Sequence, residues 1–262
     1  MFKFIKKLQL LLRKFGSYEQ RLLDIQTALG RIEQRQNLEK SSSIFNENEF
    51  KVFSQWGEDG LIQYLLRYIH IENPIFVEFG VENYLESNTR FLLINNNWSG
   101  LLIDGSSDNI AYIKSDPIYW RHNLNAICAF VTKENINDLL KENGVVGDIG
   151  ILSIDIDGND YWIWDAIDAI NPAVVIIEYN ARFGKDMSVT VPYDSDFIRS
   201  QKHHSMIYFG ASIRALCALA MKKGYAFVGC SSAGVNAFFV RRDLMVKEIK
   251  ELTVEEGYVK NK

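Results

Sequence analysis

The stretch that decides the fold is Gly150-Ile-Leu-Ser-Ile-Asp-Ile-Asp-Gly-Asn-Asp-Tyr-Trp-Ile-Trp164. Its first part, with the preceding residue, is a mostly apolar run over 149–154, the pattern of a strand buried on both faces of a parallel sheet. Gly158 breaks the extended pattern, and Asn159 and Asp160 offer capping side chains for a helix. The sequence therefore predicts a buried strand, a turn and a helix over these residues.

Polar side chains follow two predicted strands at the points where those strands end. Asp155 and Asp157 come after the first run, and in extended backbone their spacing places both on the same side. A second buried run, 173–177, ends in the same style with Glu178 and Asn180. Open α/β sheets bind ligands at the carboxyl edge of their strands, so these side chains predict a site there.

Strands alternate with helices on both sides of that stretch. Further strands are predicted at Ile75–Phe79, Gly100–Asp104, Ala126–Val131, Tyr225–Gly229 and Val235–Val240, and helices at Trp56–Ile71, Ser87–Asn95, Asp108–Ser115, Asn135–Glu142 and Ala211–Lys223. This alternation predicts an α/β, doubly wound, Rossmann-like sheet that closes with an antiparallel hairpin. Such a plan is typical of the class I methyltransferase fold, with a seven-stranded, mostly parallel sheet and an antiparallel last strand.

Composition and charge narrow the class of protein. A chain of 262 residues that is 47% hydrophobic can bury one large core and carry an appendage. A net charge of −4 argues against nucleic acid as the main partner. The three cysteines lack CxxC spacing and sit among apolar residues, which favours packed thiols in a reducing compartment. Without an apolar run of membrane-span length or a signal-peptide pattern, the sequence predicts a cytoplasmic protein.

The first forty residues form a separate unit with a heptad pattern. Nine apolar residues follow one another at alternating steps of four and three: Phe4, Leu8, Leu11, Phe15, Tyr18, Leu22, Ile25, Leu29 and Ile32. An a/d seam kept for about four heptads predicts self-association through a coiled coil. Two alternatives stay open, namely that the basic first turns lie on the anionic inner face of a membrane, or that the helix packs on its own domain.

The domain organisation follows from these patterns. Residues 1–40 are predicted to form the helix, 41–49 a polar, serine-bearing linker, and 50–262 the α/β domain. Within that domain, residues 181–209 interrupt the alternation of strands and helices. We predict that this insert forms a lid or part of an acceptor-binding surface.

A glycine and an acid after the first two strands indicate a nucleotide-binding end. Gly80 follows the first strand, and Asp104, 24 residues later, ends the second. A carboxylate there accepts hydrogen bonds from a ribose diol in Rossmann-like folds, although an ordinary surface aspartate is the alternative. A dinucleotide site needs further glycines beside its pyrophosphate, whereas here Glu78 and Glu82 would repel phosphate. S-adenosylmethionine carries no phosphate and brings a sulfonium and an ammonium group, so the turn favours a methyl donor over NAD.

Six motifs resemble those of the FkbM-type methyltransferases. They are Ser54-Gln-Trp-Gly-Glu-Asp59, Phe76-Val-Glu-Phe-Gly80, Ser87-Asn-Thr89, Trp98-Ser-Gly-Leu-Leu-Ile-Asp104, Leu152-Ser-Ile-Asp-Ile-Asp-Gly-Asn-Asp-Tyr161 and Ile177-Glu-Tyr-Asn180. The resemblance covers about residues 50–242. It implies an S-adenosylmethionine-dependent O-methyltransferase of a kind associated with bacterial polysaccharide and sugar biosynthesis. Two departures are the single glycine in the first turn and Asp157, where many such chains carry glutamate.

The resemblance also implies roles for the motif residues at the donor end. Asp104 would bind the ribose hydroxyls, and Gln55 would close over the donor from the preceding helix. The residues expected around the rest of S-adenosylmethionine are Glu78, Gly80, Asn88, Thr89 and Asp155. For Asn88 and Thr89, capping of the following helix is the competing interpretation.

The acceptor end requires activation of a hydroxyl group. A sugar hydroxyl is a poor nucleophile, and coordination to a metal ion lowers its pKa. Hard oxygen ligands suit Mg²⁺ or Mn²⁺, and the predicted set is Asp155, Asp157, Glu178 and Asn180. Two alternatives are that these acids cap the following helices, or that Asp155 only binds the methyl donor. We predict Asp157 and His203 as catalytic groups, with His203 as a general base near neutral pH, although histidines in polar loops are commonly solvated surface residues.

The sequence thus predicts an S-adenosylmethionine-dependent O-methyltransferase that requires a divalent metal. Its acceptor would be a hydroxyl of a nucleotide-linked or glycan sugar in surface polysaccharide biosynthesis. Two other classes stay open. One is a non-catalytic scaffold with a vestigial methyltransferase fold, which the intact acids disfavour, and the other is an NAD-dependent sugar oxidoreductase, which the missing glycines disfavour. The expected partners are the acceptor sugar and further copies of the chain, and no nucleic acid.

Overall fold

The computed structural model describes residues 2–40 and 42–261, and in the first helix it describes the side chains of residues 6, 7, 18 and 20–39. The helices are α1 (Phe2–Glu39), α2 (Glu58–Tyr68), α3 (Arg90–Asn95), α4 (Ser107–Ser115), α5 (Pro117–Arg121), α6 (Ile136–Glu142), α7 (Asp160–Ala166), α8 (Arg199–Lys202), α9 (Ile213–Lys223) and α10 (Val254–Gly257). The strands are β1 (Ile75–Phe79), β2 (Ser99–Asp104), β3 (Leu124–Cys128), β4 (Gly147–Ile154), β5 (Ile170–Glu178), β6 (Tyr225–Cys230) and β7 (Asn236–Arg241).

The strands form a seven-stranded sheet in the order β3-β2-β1-β4-β5-β7-β6. Neighbours from β3 to β5 pair in parallel, whereas β7 runs antiparallel to both β5 and β6. The strand order reverses between β1 and β4, which is where open α/β sheets bind their ligands. The predicted Rossmann-like class I methyltransferase fold, with its antiparallel last strand, is confirmed.

The two faces of the sheet bury alternate residues of each strand. Val77 and Leu152 pack into the core on one face, and Phe76 and Ile151 pack into the core on the other. Because both faces are covered, the central strands are continuous apolar runs, as parallel strands of this kind require. Polar side chains are therefore concentrated at the strand ends, and those ends position the site.

Element bounds differ from the prediction in a few places. Helix α3 begins at Arg90, later than predicted, because residues 87–89 wrap around the buried carboxylate of Glu78. Helix α5 was not predicted. It begins at Pro117 and is capped by Asp116, since proline fits the first turn of a helix. Strand β3 ends three residues earlier than predicted, at residue 128.

Helix α1 lies against the α/β domain along one face. Thr27 and Gly30 are buried there, and Leu23 packs against the small core that contains Val52 and Phe91. A Cβ atom on Gly30 would lie 2.5 Å from Val52 Cγ2, so this glycine permits the close approach of the helix. Packing on its own domain, one of the open alternatives, therefore describes this face of α1.

The predicted heptad seam lies on another face of α1. Its described members, Tyr18, Leu22, Ile25, Leu29 and Ile32, are 49–65% exposed. The side chains of Phe4, Leu8, Leu11 and Phe15 lie outside the described residues. An apolar stripe at heptad spacing is thus left uncovered by the rest of the described chain. Across the described residues, α1 included, no helix combines the length and the apolar character that crossing a membrane requires.

The predicted linker, 41–49, carries more structure than its polar composition indicates. Phe45 is buried with its ring centroid 5.3 Å from that of Phe238, and Asn46 Nδ2 donates to the Cys230 carbonyl oxygen at 2.6 Å. The linker is anchored beside β6 and β7 because the apolar ring of Phe45 reaches the core of the domain.

Candidate active site

A cavity of about 440 Å³ opens at the carboxyl edge of the sheet. Its wall contains eight predicted site residues: Gln55, Glu78, Gly80, Asn88, Asp104, Asp155, Asp157 and Glu178. Gln55 reaches the wall from the turn before α2 and not from a helix, since α2 begins at Glu58. Gln55 therefore lies beside the predicted donor site, as expected, but a turn and not a helix positions it there.

Glu78 organises the loop at the β1 end of the cavity. Its buried carboxylate accepts hydrogen bonds from Ser87 Oγ (2.5 Å), the Asn88 backbone N–H (3.0 Å) and the Thr89 hydroxyl. Burial raises the pKa of Glu78, and these bonds offset part of that effect. Thr89 is fully buried with its hydroxyl on Glu78, whereas Asn88 lines the cavity.

Gly80 and Asp104 connect the loops that follow β1 and β2. Gly80 has a φ of +69°, and a Cβ there would lie 1.6 Å from the Asp155 carbonyl oxygen, so only glycine fits. The buried Asp104 carboxylate accepts hydrogen bonds from the N–H groups of Glu82 (2.8 Å) and Ser106 (2.8 Å). Its Oδ1 also accepts from Asn109 Nδ2 (3.0 Å), so three of about four acceptor sites on Asp104 are occupied and one is left for a further donor.

Three carboxylates meet at the other end of the cavity. An oxygen atom from each of Asp155, Asp157 and Glu178 lies within 4.8 Å of those from the other two. The predicted convergence of the two aspartates is observed, but its predicted reason was wrong. Strand β4 ends at Ile154, and Asp157 has a φ of +59°, so the pair converges through a turn and not through extended backbone.

Asp160 holds this turn, although the sequence pattern indicated only a helix-capping role for it. Its fully buried carboxylate accepts hydrogen bonds from the N–H groups of Ile156 and Gly158, both at 2.9 Å. Burial raises the pKa of Asp160 to about 6, while the backbone N–H groups act in the opposite direction. Asp160 thus fixes the position from which Asp157 reaches the cluster.

Burial and mutual repulsion perturb the cluster itself. The pKa values of Asp155 and Glu178 are raised well above their usual range, first by burial and then by the charges of neighbouring acids, Asp160 among them. The nearby guanidinium of Arg199 lowers both values in part. Asp155 and Glu178 therefore hold protons to a higher pH than isolated carboxyls do, unless a cation takes the place of those protons.

Arg199 is the basic side chain among the described residues that line the cavity. It forms an ion pair with Asp157, its Nε donates to the Met206 carbonyl oxygen at 2.7 Å, and its guanidinium lies 3.7 Å from the ring centroid of Phe209. The irregular segment 181–209 thus brings a cation to the cluster. No sequence pattern marks this arginine, because its position depends on how the irregular segment folds.

Three predicted site residues are not among those that line the cavity. The Asn180 side chain donates to two backbone carbonyl groups of segment 181–209, at 2.9 and 3.0 Å, and so anchors that segment. His203 is exposed at the end of α8. Thr89 is buried behind the wall. For Asn180 the physical reason is that β5 ends at Glu178, so the period of two does not continue.

Asn236 was missed by sequence reasoning and lies in the wall next to the cluster. It is the register partner of Glu178 on the neighbouring strand β7. Its Nδ2 donates to Glu58 Oε1 at 3.0 Å, and both residues are buried. The motif Ser54–Asp59 was a signal for Glu58, but its contact with β7 depends on the topology of the sheet.

No protein-family model matches the sequence, and no curated protein does. Among solved structures, the chain is similar to the N-terminal domain of EvdMO1 with SAH bound (14% identity, TM-score 0.47, covering 81% of this chain and 96% of that one). It is similar to an O-methyltransferase from Bacillus cereus in complex with SAH (13% identity, TM-score 0.46, covering 83% of this chain and 97% of that one). It is also similar to M. capricolum TrmK in complex with SAH (12% identity, TM-score 0.43, covering 75% of this chain and 74% of that one). The fold assignment rests on the strand order observed in this chain, and these similarities add nothing about its chemistry.

Proposed function

We propose that this chain is an S-adenosylmethionine-dependent O-methyltransferase. The observation that carries the proposal is that one cavity joins Asp104, at the end of β2, to the carboxylate cluster at the ends of β4 and β5. Methyl transfer requires a nucleoside-type donor and an activated hydroxyl to be held side by side. The motif resemblance to the FkbM-type enzymes supports the same function.

The charge of the cavity wall favours a methyl donor over a dinucleotide. Carboxylates of seven residues line the cavity: Glu78, Glu82, Glu86, Asp104, Asp155, Asp157 and Glu178. Such a wall opposes the pyrophosphate of NAD and suits the sulfonium and ammonium groups of S-adenosylmethionine. Asp104 would accept hydrogen bonds from the ribose hydroxyls, and Gln55 and Asn88 would contact the rest of the donor.

The carboxylate cluster has the ligand set that a hard divalent cation prefers. Its oxygens lie close together, and Glu178 Oε2 has no hydrogen-bond partner among the described residues. Asp155, Asp157 and Glu178 would hold Mg²⁺ or Mn²⁺, which when bound lowers the pKa of a coordinated hydroxyl and orients it. Asp157, an exposed member of the cluster, would accept the hydroxyl proton as the methyl group is transferred.

The acceptor we propose is a sugar hydroxyl, on a glycan or a nucleotide-linked sugar, in surface polysaccharide biosynthesis. The motif resemblance supports this class. Segment 181–209 offers a fitting surface, because the rings of Phe197 and Tyr208 are stacked with centroids 6.4 Å apart, and Phe197 also lines the cavity. His203 lies outside the cavity wall, so the proton-accepting role falls to Asp157.

The donor proposal can be tested by isothermal titration calorimetry with S-adenosylmethionine, S-adenosylhomocysteine and NAD. We expect the first two to bind. Asp104→Ala should weaken them about tenfold or more, since a charge-assisted acceptor contributes about 1.5–3 kcal/mol. Asp108→Ala, an exposed acid in the first turn of α4, is the matched control. Binding of NAD without S-adenosylmethionine would overturn the proposal.

We also propose that α1 pairs with α1 of a second copy of this chain. The support is the exposed heptad stripe, which lies on a face of α1 that the domain leaves free. Leu22→Asp combined with Ile25→Asp should lower the mass in light scattering, whereas Ala28→Asp adds a charge outside the seam and should not. An unchanged mass would contradict pairing, and binding to anionic vesicles would support the membrane-surface alternative.

A further inference from the structure

We propose that Asn236 presents its side-chain carbonyl oxygen to the divalent cation of the carboxylate cluster and that Glu58 fixes the amide in that orientation. This inference rests on the proposed function, because it assigns a further residue to the same cation site. It replaces the predicted role of Asn180, whose amide is engaged by segment 181–209.

The sheet places Asn236 beside the cluster. Asn236 on β7 lies directly opposite Glu178 on β5 in an antiparallel pair, so the two side chains project from the same face. Both residues line the cavity together with Asp155 and Asp157. An oxygen ligand from β7 would therefore approach the cluster from the side opposite to β4.

Glu58 determines which end of the amide faces the cluster. Its Oε2 accepts hydrogen bonds from the N–H groups of Trp56 (3.0 Å) and Gly57 (2.9 Å), and its Oε1 accepts from Asn236 Nδ2 (3.0 Å). An ionised carboxylate accepts hydrogen bonds and donates none, so the NH₂ group of Asn236 must face Glu58. The carbonyl oxygen of the same amide is then directed away from Glu58.

Two buried oxygen atoms in adjacent side chains lack a donor. Asn236 Oδ1 and Glu178 Oε2 have no hydrogen-bond partner among the described residues, although Asn236 is 5% and Glu178 9% exposed. Buried oxygens without a partner are uncommon, and a bound ion or water is one explanation for them. These two lie together in the wall of the cavity beside the carboxylate cluster, which favours a shared cation. A hard divalent cation would satisfy both atoms at once and would offset two of the three carboxylate charges that converge there.

The turn that carries Glu58 is itself rigidly held. Asp59 Oδ2 accepts hydrogen bonds from the N–H groups of Val52 (2.7 Å), Phe53 (2.7 Å) and Ser54 (2.8 Å). Glu58 and Asp59 are both buried. The motif Ser54–Asp59 thus forms a support behind the cavity wall, and metal-ligand orientation through such supports typically accounts for about 10- to 100-fold in affinity.

The test is isothermal titration calorimetry of the full chain with Mn²⁺ alone, carried out on the wild type and on three variants. Asn236→Ala removes the oxygen, and we expect Mn²⁺ binding to weaken about tenfold or more. Glu58→Gln keeps the size of the side chain. Its oxygen can still accept from Trp56 and Gly57, so its NH₂ group faces Asn236 and turns that amide around. We expect a similar loss of Mn²⁺ affinity.

The double variant Glu58→Gln with Asn236→Asp distinguishes an effect of side-chain orientation at residue 236 from non-specific disruption of the site. The new glutamine donates to one oxygen of the new aspartate, and the other oxygen faces the cation. We expect Mn²⁺ affinity to return to within about threefold of the wild type, a coupling that unrelated effects would not produce. Asn171→Ala, an exposed amide near the opposite end of β5, is the matched control and should change nothing.

The possible failures are distinguishable. Unchanged Mn²⁺ affinity in Asn236→Ala and Glu58→Gln would overturn the inference and leave the proposed metal site standing. No Mn²⁺ binding by the wild type would overturn the metal site and the inference with it, while S-adenosylmethionine binding would be measured separately. A loss of S-adenosylmethionine binding in Asn236→Ala without a loss of Mn²⁺ binding would overturn the inference and indicate that Asn236 Oδ1 contacts the methyl donor. Thermal unfolding of each variant identifies any that do not fold, and the size-conserving variants then carry the test.

Discussion

The two ends of the cavity use buried acids in different ways. At the β1–β2 end, the carboxylates of Glu78 and Asp104 accept hydrogen bonds from neighbouring backbone N–H groups. At the β4–β5 end, Glu178 Oε2 has no partner among the described residues, and burial, followed by like charges, raises the pKa values of Glu178 and Asp155. The number of carboxylates is therefore a poor guide to a site. Whether the chain supplies their donors distinguishes carboxylates that the surrounding loops hold in place from carboxylates that are left without partners.

Gly80→Ala should disturb both ends of the cavity, because Gly80 lies between the β1 loop and the β4 turn, and we expect it to have the largest effect. Its φ is +69°, and a Cβ would lie 1.6 Å from the Asp155 carbonyl oxygen, so the β1 loop and the β4 turn must both move. We expect the free energy of unfolding to fall by about 3 kcal/mol in urea denaturation. Gly144→Ala has a similar φ of +73° with no atom within 4 Å and should cost about 1 kcal/mol. Equal losses would contradict this account.

Glu178→Gln should affect only the β4–β5 end of the cavity. It keeps the size of the side chain and removes a charge from the proposed cation site. We expect methyl transfer with Mn²⁺ to fall about 100-fold or more, on the scale of several kcal/mol that metal assistance provides, while S-adenosylmethionine binding is retained. Asp104→Ala should show the reverse pattern in donor calorimetry. Parallel losses of donor binding and turnover in Glu178→Gln would show that the two ends are not separable.

The pH dependence of stability should come from the buried acids at the β4–β5 end together with Asp59 and Glu78, whose pKa values burial also raises. The pKa of Asp160 is raised from 3.8 to about 6 in the folded protein, so the folded state holds this proton to higher pH than the unfolded chain does. Its stabilising contribution is full below about pH 4 and is lost as the pH rises through about 6. Asp155 and Glu178 act in the same direction.

Urea unfolding of the metal-free protein between about pH 4 and 8 checks this prediction. We expect a loss of roughly 1–3 kcal/mol from Asp160 across that range, and Asp160→Asn should flatten the curve. Saturating Mn²⁺ should stabilise the protein more at about pH 8 than at about pH 5, because a cation replaces the protons. A Mn²⁺ effect that does not vary with pH would argue against a cation among these carboxylates.

Arg199→Ala should have the smallest effect. The ion pair with Asp157 is partly exposed to solvent, and such pairs contribute about 0–1 kcal/mol. Because Arg199 is a cation already paired with a proposed metal ligand, its removal should raise Mn²⁺ affinity by about two- to fivefold in calorimetry. Lys202→Ala, which removes an ion pair with Asp194 in the same segment, is the control. Weaker Mn²⁺ binding in Arg199→Ala would mean that the arginine supports the cluster and does not compete for it.

Much of the fold was predictable, because its signals are local. Strand β1 was predicted at its observed bounds, since an apolar run lies between Pro74 and Gly80. The alternation of strands and helices and the closing hairpin predicted the sheet, and the strand ends predicted Asp155 and Glu178. These features depend on the periodicity of apolar residues and on the residues that interrupt it, and both can be recognised within a short stretch of sequence.

The unpredicted part of the site depends on contacts between distant segments. Asn236 lies opposite Glu178 only because β7 inserts between β5 and β6, and Arg199 reaches Asp157 only through an irregular segment. Asn180 shows the converse error, since its position was extrapolated from a strand that had already ended. No periodicity links such residues, so a single sequence could not indicate their approach.

Helix α1 is connected to the sheet through the turn at residues 52–57 and the first residues of α2. Gln26 of α1 donates to the Val52 carbonyl oxygen, Asp59 binds the N–H group of the same residue, and Glu58 binds Asn236 of β7. A chain of three hydrogen bonds therefore connects α1 to an amide in the cavity wall, alongside the direct contacts of α1 with α2 and α3. A change in the position of α1 would therefore alter the cavity wall through these hydrogen bonds.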